Sequence, residues 1–149
     1  TTFFKKLHEK VVEPKTIPTT DISVGQCREY RVPESEEPHE RIQPDCHQPE
    51  GCLFCTKYYV HADEQDIRKL CSCLYVITET RVMADSETHF NNVFGEVIKR
   101  ITFLLETISM KSNALKHTVE NIQREVTEEE KLTNYWASKL QMLVELEMI

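Results

Sequence analysis

All six prolines, at positions 14, 18, 33, 38, 44 and 49, fall in the first third of a chain of 149 residues. From residue 62 to the end there is no proline and a single glycine, Gly95. Proline lacks the amide donor and biases its predecessor away from helix, so no long helix runs through the front, while nothing of the kind interrupts the back. The cysteines divide similarly. Cys27, Cys46, Cys52 and Cys55 lie in the front, and Cys71 and Cys73 lie just beyond it. Two regimes follow: an irregular Cys/His segment over residues 1–61 and a helical bundle over 62–149. The expected fold class is mostly α, with an irregular zinc-binding N-terminal segment followed by an antiparallel bundle of three or four helices.

Charge narrows the function. The chain carries 18 Lys+Arg against 25 Asp+Glu, a formal net charge of −7, shared as −2 over the front (8 − 10) and −5 over the back (10 − 15). That balance argues against a chain whose main task is neutralising phosphates. Lys5-Lys6, Arg68-Lys69 and Lys99-Arg100 are isolated basic pairs, enough for weak DNA contact only. No apolar run approaches a membrane span, and no signal peptide opens the chain, so a cytoplasmic protein is expected. The chain starts on Thr1, as a fragment or processed chain would.

Residues 1–12 have Phe3, Phe4, Leu7 and Val11 at helical spacing, and Pro14 and Pro18 stop that helix. From Pro14 to Gly51 no period persists. The acidic stretch 32–40 buries too little apolar area to repay its own ordering. Something other than a core must hold this segment, and its cysteines suggest a metal. Cys52-x2-Cys55 is a knuckle that can place two thiolates on one tetrahedral ion, with Gly51 beside it easing the turn. Cys46 six residues before and His61 six after complete a compact set, and Cys27 is a fifth candidate. Four of Cys27, Cys46, Cys52, Cys55 and His61 would bind a structural zinc. One arrangement is all-thiolate, with His61 as a supporting or helix-capping residue. A closed set of four leaves no open position, so the site is structural rather than catalytic. Zinc can supply on the order of 10 kcal/mol to folding. An iron–sulfur cluster, free thiols, or a redox pair at Cys52 and Cys55 are the alternatives.

In the back, Asp63 is an N-cap. Ile67, Leu70, Cys71, Leu74 and Ile77 share one helical face, and Cys73 lies off it. Substitution of Cys73 by serine is therefore expected to be mild. Phe90, Val93, Phe94, Val97, Ile98, Ile101, Leu104, Leu105 and Ile108 form the clearest stripe. That helix could continue the one before it, with Asp85 or Ser86 as a cap if a turn intervenes. A turn is expected at 111–113, then a narrow seam of Leu115, Val119, Ile122 and Val126. Thr127 with Glu130 predicts a capping box that opens a last helix over 128–147. Its apolar face would be Leu132, Tyr135, Trp136, Leu140, Leu143, Val144 and Leu146. Carboxylates are placed at solvent positions. A bundle with a narrow seam often needs a second copy, so a homo-oligomer is expected.

No phosphate-cradling glycine loop, HExxH, GxSxG or calcium loop is present. One family pattern is. Gly25-x-Cys27, Pro44-Asp45-Cys46, Gly51-Cys52-Leu53-Phe54-Cys55, His61-Ala62-Asp63-Glu64-x-Asp66-Ile67-Arg68-Lys69-Leu70 and Tyr75-Val76-Ile77 together resemble the C-terminal region of large bacterial site-specific integrases, tyrosine-recombinase relatives from mobile elements. The ending Tyr135-Trp136-Ala137-x-Lys139-Leu140-x-Met142-Leu143 is similar too, so the resemblance spans residues 25–146. It implies a parent that cuts and rejoins DNA through a tyrosine, with an Arg and a His-x-x-Arg pair around the phosphate. His-x-x-Arg occurs nowhere here, and no tyrosine can be assigned as nucleophile. The resemblance therefore implies a non-catalytic, zinc-stabilised accessory segment and not an enzyme in itself. Its partners would be the parent's catalytic domain, a neighbouring protomer, and DNA through the parent. The family's Cys/His residues fall on Cys27, Cys46, Cys52, Cys55 and His61. A stand-alone zinc-binding module that dimerises is the rival reading, and a thiol redox protein the third.

Overall fold

The computed structural model describes residues 7–35, 42–80 and 87–146, with the backbone alone at 87–90, 92 and 93. Phe3, Phe4, Lys5-Lys6, the Asp85/Ser86 cap, the 81–86 junction and the side chains of Phe90 and Val93 lie outside these residues.

The front is not irregular throughout. Strands β1 (Val11–Val12), β2 (Thr20–Ile22), β3 (Gly25–Cys27) and β4 (Tyr58–His61) form one sheet in the order β1-β4-β3-β2. β1 runs parallel to β4, and the other two pairings are antiparallel. Helical backbone at Leu7 and His8 gives way to β1, so the expected helix over 1–12 does not reach Val11. Two β-branched valines favour the extended form, and Val11 is buried there. Strands of two to four residues are too short to write a period, which is why the alternation escaped the sequence.

Gly25 follows the two-residue turn of the β2–β3 hairpin with φ 150°, a conformation side-chain-bearing residues avoid. A Cβ there would stand 2.7 Å from the Tyr59 carbonyl oxygen. Glycine is thus required for β3 to pair beside β4. A short helix α1 (Pro49–Cys52) starts on proline, whose missing amide costs nothing at that position.

Four longer helices follow: α2 (Glu64–Glu79), α3 (Glu87–Ser109), α4 (Asn113–Glu129) and α5 (Asn134–Glu145). Asp63 caps α2, accepting the Asp66 amide at 2.9 Å, as its position predicts. Ser112 caps α4 through the Leu115 amide at 3.1 Å, so the expected turn at 111–113 is there. Because that turn is so short and α3 and α4 pack together, the two run in opposite directions. Among the described residues no helix is long and apolar enough to cross a membrane.

The last helix begins later than expected. The Thr127 hydroxyl donates to the Gln123 carbonyl within α4 at 2.8 Å and opens nothing. The chain breaks at Glu130, which takes a left-handed conformation with φ 50°. Tertiary contacts fix the break. Arg68 of α2 reaches the Lys131 carbonyl at 2.8 Å and the Glu125 carboxylate at 2.6 Å. The Tyr75 hydroxyl donates to Glu130, and the Thr133 amide donates to the Ser72 hydroxyl. Local helix propensity at 128–130 says continue; these four bonds say stop.

Sheet and helices bury one continuous core. Leu7, Val24, Leu53 and Val60 from the front join Ile67, Leu70, Ile101, Leu104, Ile122 and Trp136 from the back. The described residues of the predicted faces of α2, α3 and α4 pack into the core, with Leu74, Phe94, Ile98 and Leu115 only half-buried. On α5 only Trp136 and Leu143 are buried; Tyr135, Val144 and Leu146 face out. Cys73, off the predicted apolar face of α2, is nevertheless completely buried. The charged pairs are also structural. Arg100 is buried with its guanidinium 3.9 Å from the Phe54 ring centre, donating to the Leu53 carbonyl. Lys69 is buried against Asp66, so not every helical carboxylate is at solvent.

Candidate functional site

Three separated stretches of chain bring four thiols to the wall of one cavity of about 480 Å³. Cys27 ends β3, Cys46 lies in the loop before α1, Cys52 ends α1, and Cys55 closes the turn after it. Gly51 makes this approach possible. A Cβ there would meet the Asp45 amide nitrogen at 2.8 Å and the Gln43 carbonyl at 2.9 Å, so only glycine lets the Cys46 strand of chain lie against the Cys52–Cys55 turn. The turn itself is tied by the Phe54 amide to the Gly51 carbonyl (3.0 Å) and the Cys55 amide to the Cys52 carbonyl (3.2 Å).

The Glu34 N–H donates to Cys55 Sγ at 3.4 Å. At Cys27 the Glu29 backbone favours the thiolate. Burial opposes it: the Cys27 thiol is pushed above its ordinary value by burial first, against the Glu29 backbone, and then by the neighbouring thiols. Cys52 is pushed up to about 12, again by burial first and then by Cys46, Cys27 and Cys55. The thiols are thus near enough to repel one another's ionisation, and a cation among them is what would relieve that repulsion.

His61 stands apart. Cys27 is paired directly with Tyr58 across the sheet, so both side chains share a face. Along β4 the side chains alternate, and His61 falls on the opposite face with Tyr59. There its amide donates to Asp66 at 2.8 Å and its Nδ1 lies 3.7 Å from Asp63 and 3.8 Å from Asp66. Of the five candidates, four line the cavity and His61 belongs to the start of α2. Cys71 and Cys73 do not line it, and burial raises both thiols. All six cysteines are free. Among the described residues no group of three or more His, Cys, Asp or Glu side chains is arranged to hold a metal ion as it stands.

Sequence reading missed two neighbours of the site. Tyr30, Tyr58 and Tyr135 line the same cavity from three distant points in the chain, and no local pattern announces that meeting. A buried network lies on the other face: Asp66 accepts from Gln26 (3.2 Å) and pairs with Lys69 (2.8 Å), which also holds Asp21 and the Gly25 carbonyl. The i,i+3 spacing of Asp66 and Lys69 was the one visible signal of it. No family model, curated protein or solved structure matches the chain.

Proposed function

We propose that this chain is a non-catalytic helical module stapled by a structural zinc ion on Cys27, Cys46, Cys52 and Cys55. The observation that carries the reading is the meeting of these four thiols on one cavity wall, Cys55 already accepting the Glu34 amide. Cys27, Cys46 and Cys52 are only half-buried, which leaves their rotamers room to turn onto a common centre. His61 takes the supporting role at the α2 cap. A closed tetrathiolate set leaves no position for a substrate. Metal analysis of the purified chain tests this: one zinc per chain, lost together with folding on chelation, supports it. A stable metal-free protein with a reversible Cys52–Cys55 disulfide would favour thiol redox chemistry.

Its larger role, in our reading, is that of an accessory segment of a DNA site-specific integrase. It would act through protein contacts with the parent's catalytic domain and neighbouring protomers, with at most weak DNA contact of its own. The support is the resemblance over residues 25–146, to which the burial of Arg100 and Lys69 adds that two of the basic pairs serve the fold. The full reading frame tests it. An upstream tyrosine-recombinase catalytic domain in the same frame supports it, and recombination by that parent should fail when Cys52 and Cys55 are replaced by serine. The rival, a free-standing module that dimerises, draws on the exposed Met142 and Val144 of α5 and Leu146 just after it. Sedimentation at several concentrations distinguishes it.

A further inference from the structure

The cavity is larger than a metal ion needs, and its remaining walls are chemically uneven. Tyr30, Val32 and Tyr135 stand at it, each about half-exposed, although residues of this size and apolarity are usually covered. Tyr58 and three prolines complete the apolar wall. Among the described residues the acidic groups lining it are Asp21, Glu29 and Asp45, with the imidazole of His47 beside them; no described lysine or arginine lines it, and Arg31 reaches only the Tyr30 ring. Lys69 and Lys57 offset Asp21 and Glu29 from behind, each at 2.8 Å. Asp45 adds a negative charge, and four thiolates around one divalent zinc would add two more. An aromatic wall over a net negative floor attracts a cation, because the ring face is itself negative. The chain supplies its own example at the rim, where the Arg31 guanidinium lies 5.1 Å from the centre of the Tyr30 ring.

The geometry points to a binding site for a lysine or arginine side chain presented by a partner protein, seated between Tyr30 and Tyr135 above the thiol cluster. This rests in part on the zinc reading, which supplies two of the negative charges. Nucleic acid does not suit the cavity, since its phosphates would meet the same carboxylates. Tyr135 ties the site to α5, so an occupant would touch both the sheet segment and the last helix.

The test is a titration of isotope-labelled, zinc-assayed protein with the peptide (Ala-Lys)3 and its uncharged counterpart (Ala-Gln)3, followed by NMR. The lysine peptide is expected to shift the amides around Tyr30, Asp45 and Tyr135. The glutamine peptide should bind roughly tenfold more weakly or worse. Tyr135→Leu keeps the net charge and most of the apolar area; with zinc content unchanged, it should weaken the lysine peptide by roughly threefold to tenfold. Asp45→Asn should do the same. Equal binding of both peptides, shifts scattered over the acidic helices, or no loss in Tyr135→Leu would overturn the proposal. Protein without zinc sinks the metal reading. If that protein still takes the lysine peptide at these amides the cation site stands alone, and if it does not the site falls as well.

Discussion

The indole N–H of Trp136 donates to the carbonyl oxygen of Ser23 at 2.9 Å, across 113 residues of chain. Ser23 sits in the turn that feeds β3 and Cys27, and Trp136 follows Tyr135, whose ring it meets edge-on at 5.0 Å between centres. The last helix is thus fastened to the segment that carries the thiols. Trp136→Phe removes the bond and leaves the Ser23 carbonyl without that donor, at a cost of about 1–3 kcal/mol. Urea denaturation should show it as a lowered midpoint. Because Trp136 is the only tryptophan, its fluorescence should also change on chelation if the thiol segment rearranges.

Asp66 is a second point of dependence. It is 1% exposed and receives Gln26, the His61 amide and the Lys69 ammonium. Asp66→Asn leaves the buried Lys69 with the more exposed Asp21 as its remaining counter-charge, and removing one partner of a buried pair typically costs about 3–5 kcal/mol. Lys69→Met, which removes the other charge, leaves the carboxylate with its neutral donors and should cost less than Asp66→Asn. Thermal melts of the two variants would show the order, and a reversed order would contradict the network as described.

Acid should loosen the fold through two carboxylates at its joints. Asp21 is held below its ordinary 3.8 by its hydrogen bonds to Lys69 and then Gln26. Glu125 is held below 4.5 by Arg68. A carboxyl whose folded pKa is lowered stabilises the fold above its unfolded value, and that contribution disappears as the pH falls through the folded value. Both contributions are therefore complete above about pH 5 and fade below the ordinary values. The double variant Asp21→Asn, Glu125→Gln should flatten the acid limb of a stability–pH curve and leave its neutral limb nearly parallel to that of the parent.

Cys73 and the cavity thiols should part company in a serine series. Cys73→Ser buries a hydroxyl in an apolar site and should cost about 1–3 kcal/mol without changing zinc content. Cys46→Ser and Cys52→Ser should lose zinc as well as stability. Zinc binding should release the proton of Cys52, whose thiol is pushed up to about 12 by burial and then by its neighbouring thiols. Proton release in weak buffer measures this, and affinity should fall as the pH is lowered.

The helical back was readable because each stripe repeats over several turns. The caps at Asp63 and Ser112 and the turn at 111–113 follow from local chemistry alone. The end of α4 was not readable, because Arg68, Ser72 and Tyr75 impose it from another helix. The sheet was hidden by strands too short to alternate. Among the site residues, Cys52 and Cys55 are visible as a local knuckle and Cys46 joins them through the nearby contacts of Gly51 with Gln43 and Asp45, whereas the approach of Cys27 depends on Gly25 meeting Tyr59, far along the chain. For His61 the spacing left two readings open, ligand or helix-capping residue; strand alternation, once β4 is known, puts it on the face opposite Cys27. Cys73, which the stripe alone could not assign to core or surface, is buried because α2 is packed on more than one side, by the sheet, α3, α4 and α5.

X-ray absorption at the zinc edge on the purified chain addresses the central claim most directly. The account predicts one zinc per chain with four sulfur neighbours at about 2.3 Å and an unchanged spectrum in His61→Ala. A nitrogen neighbour lost in His61→Ala, or a fully folded chain that takes up no metal, would contradict it.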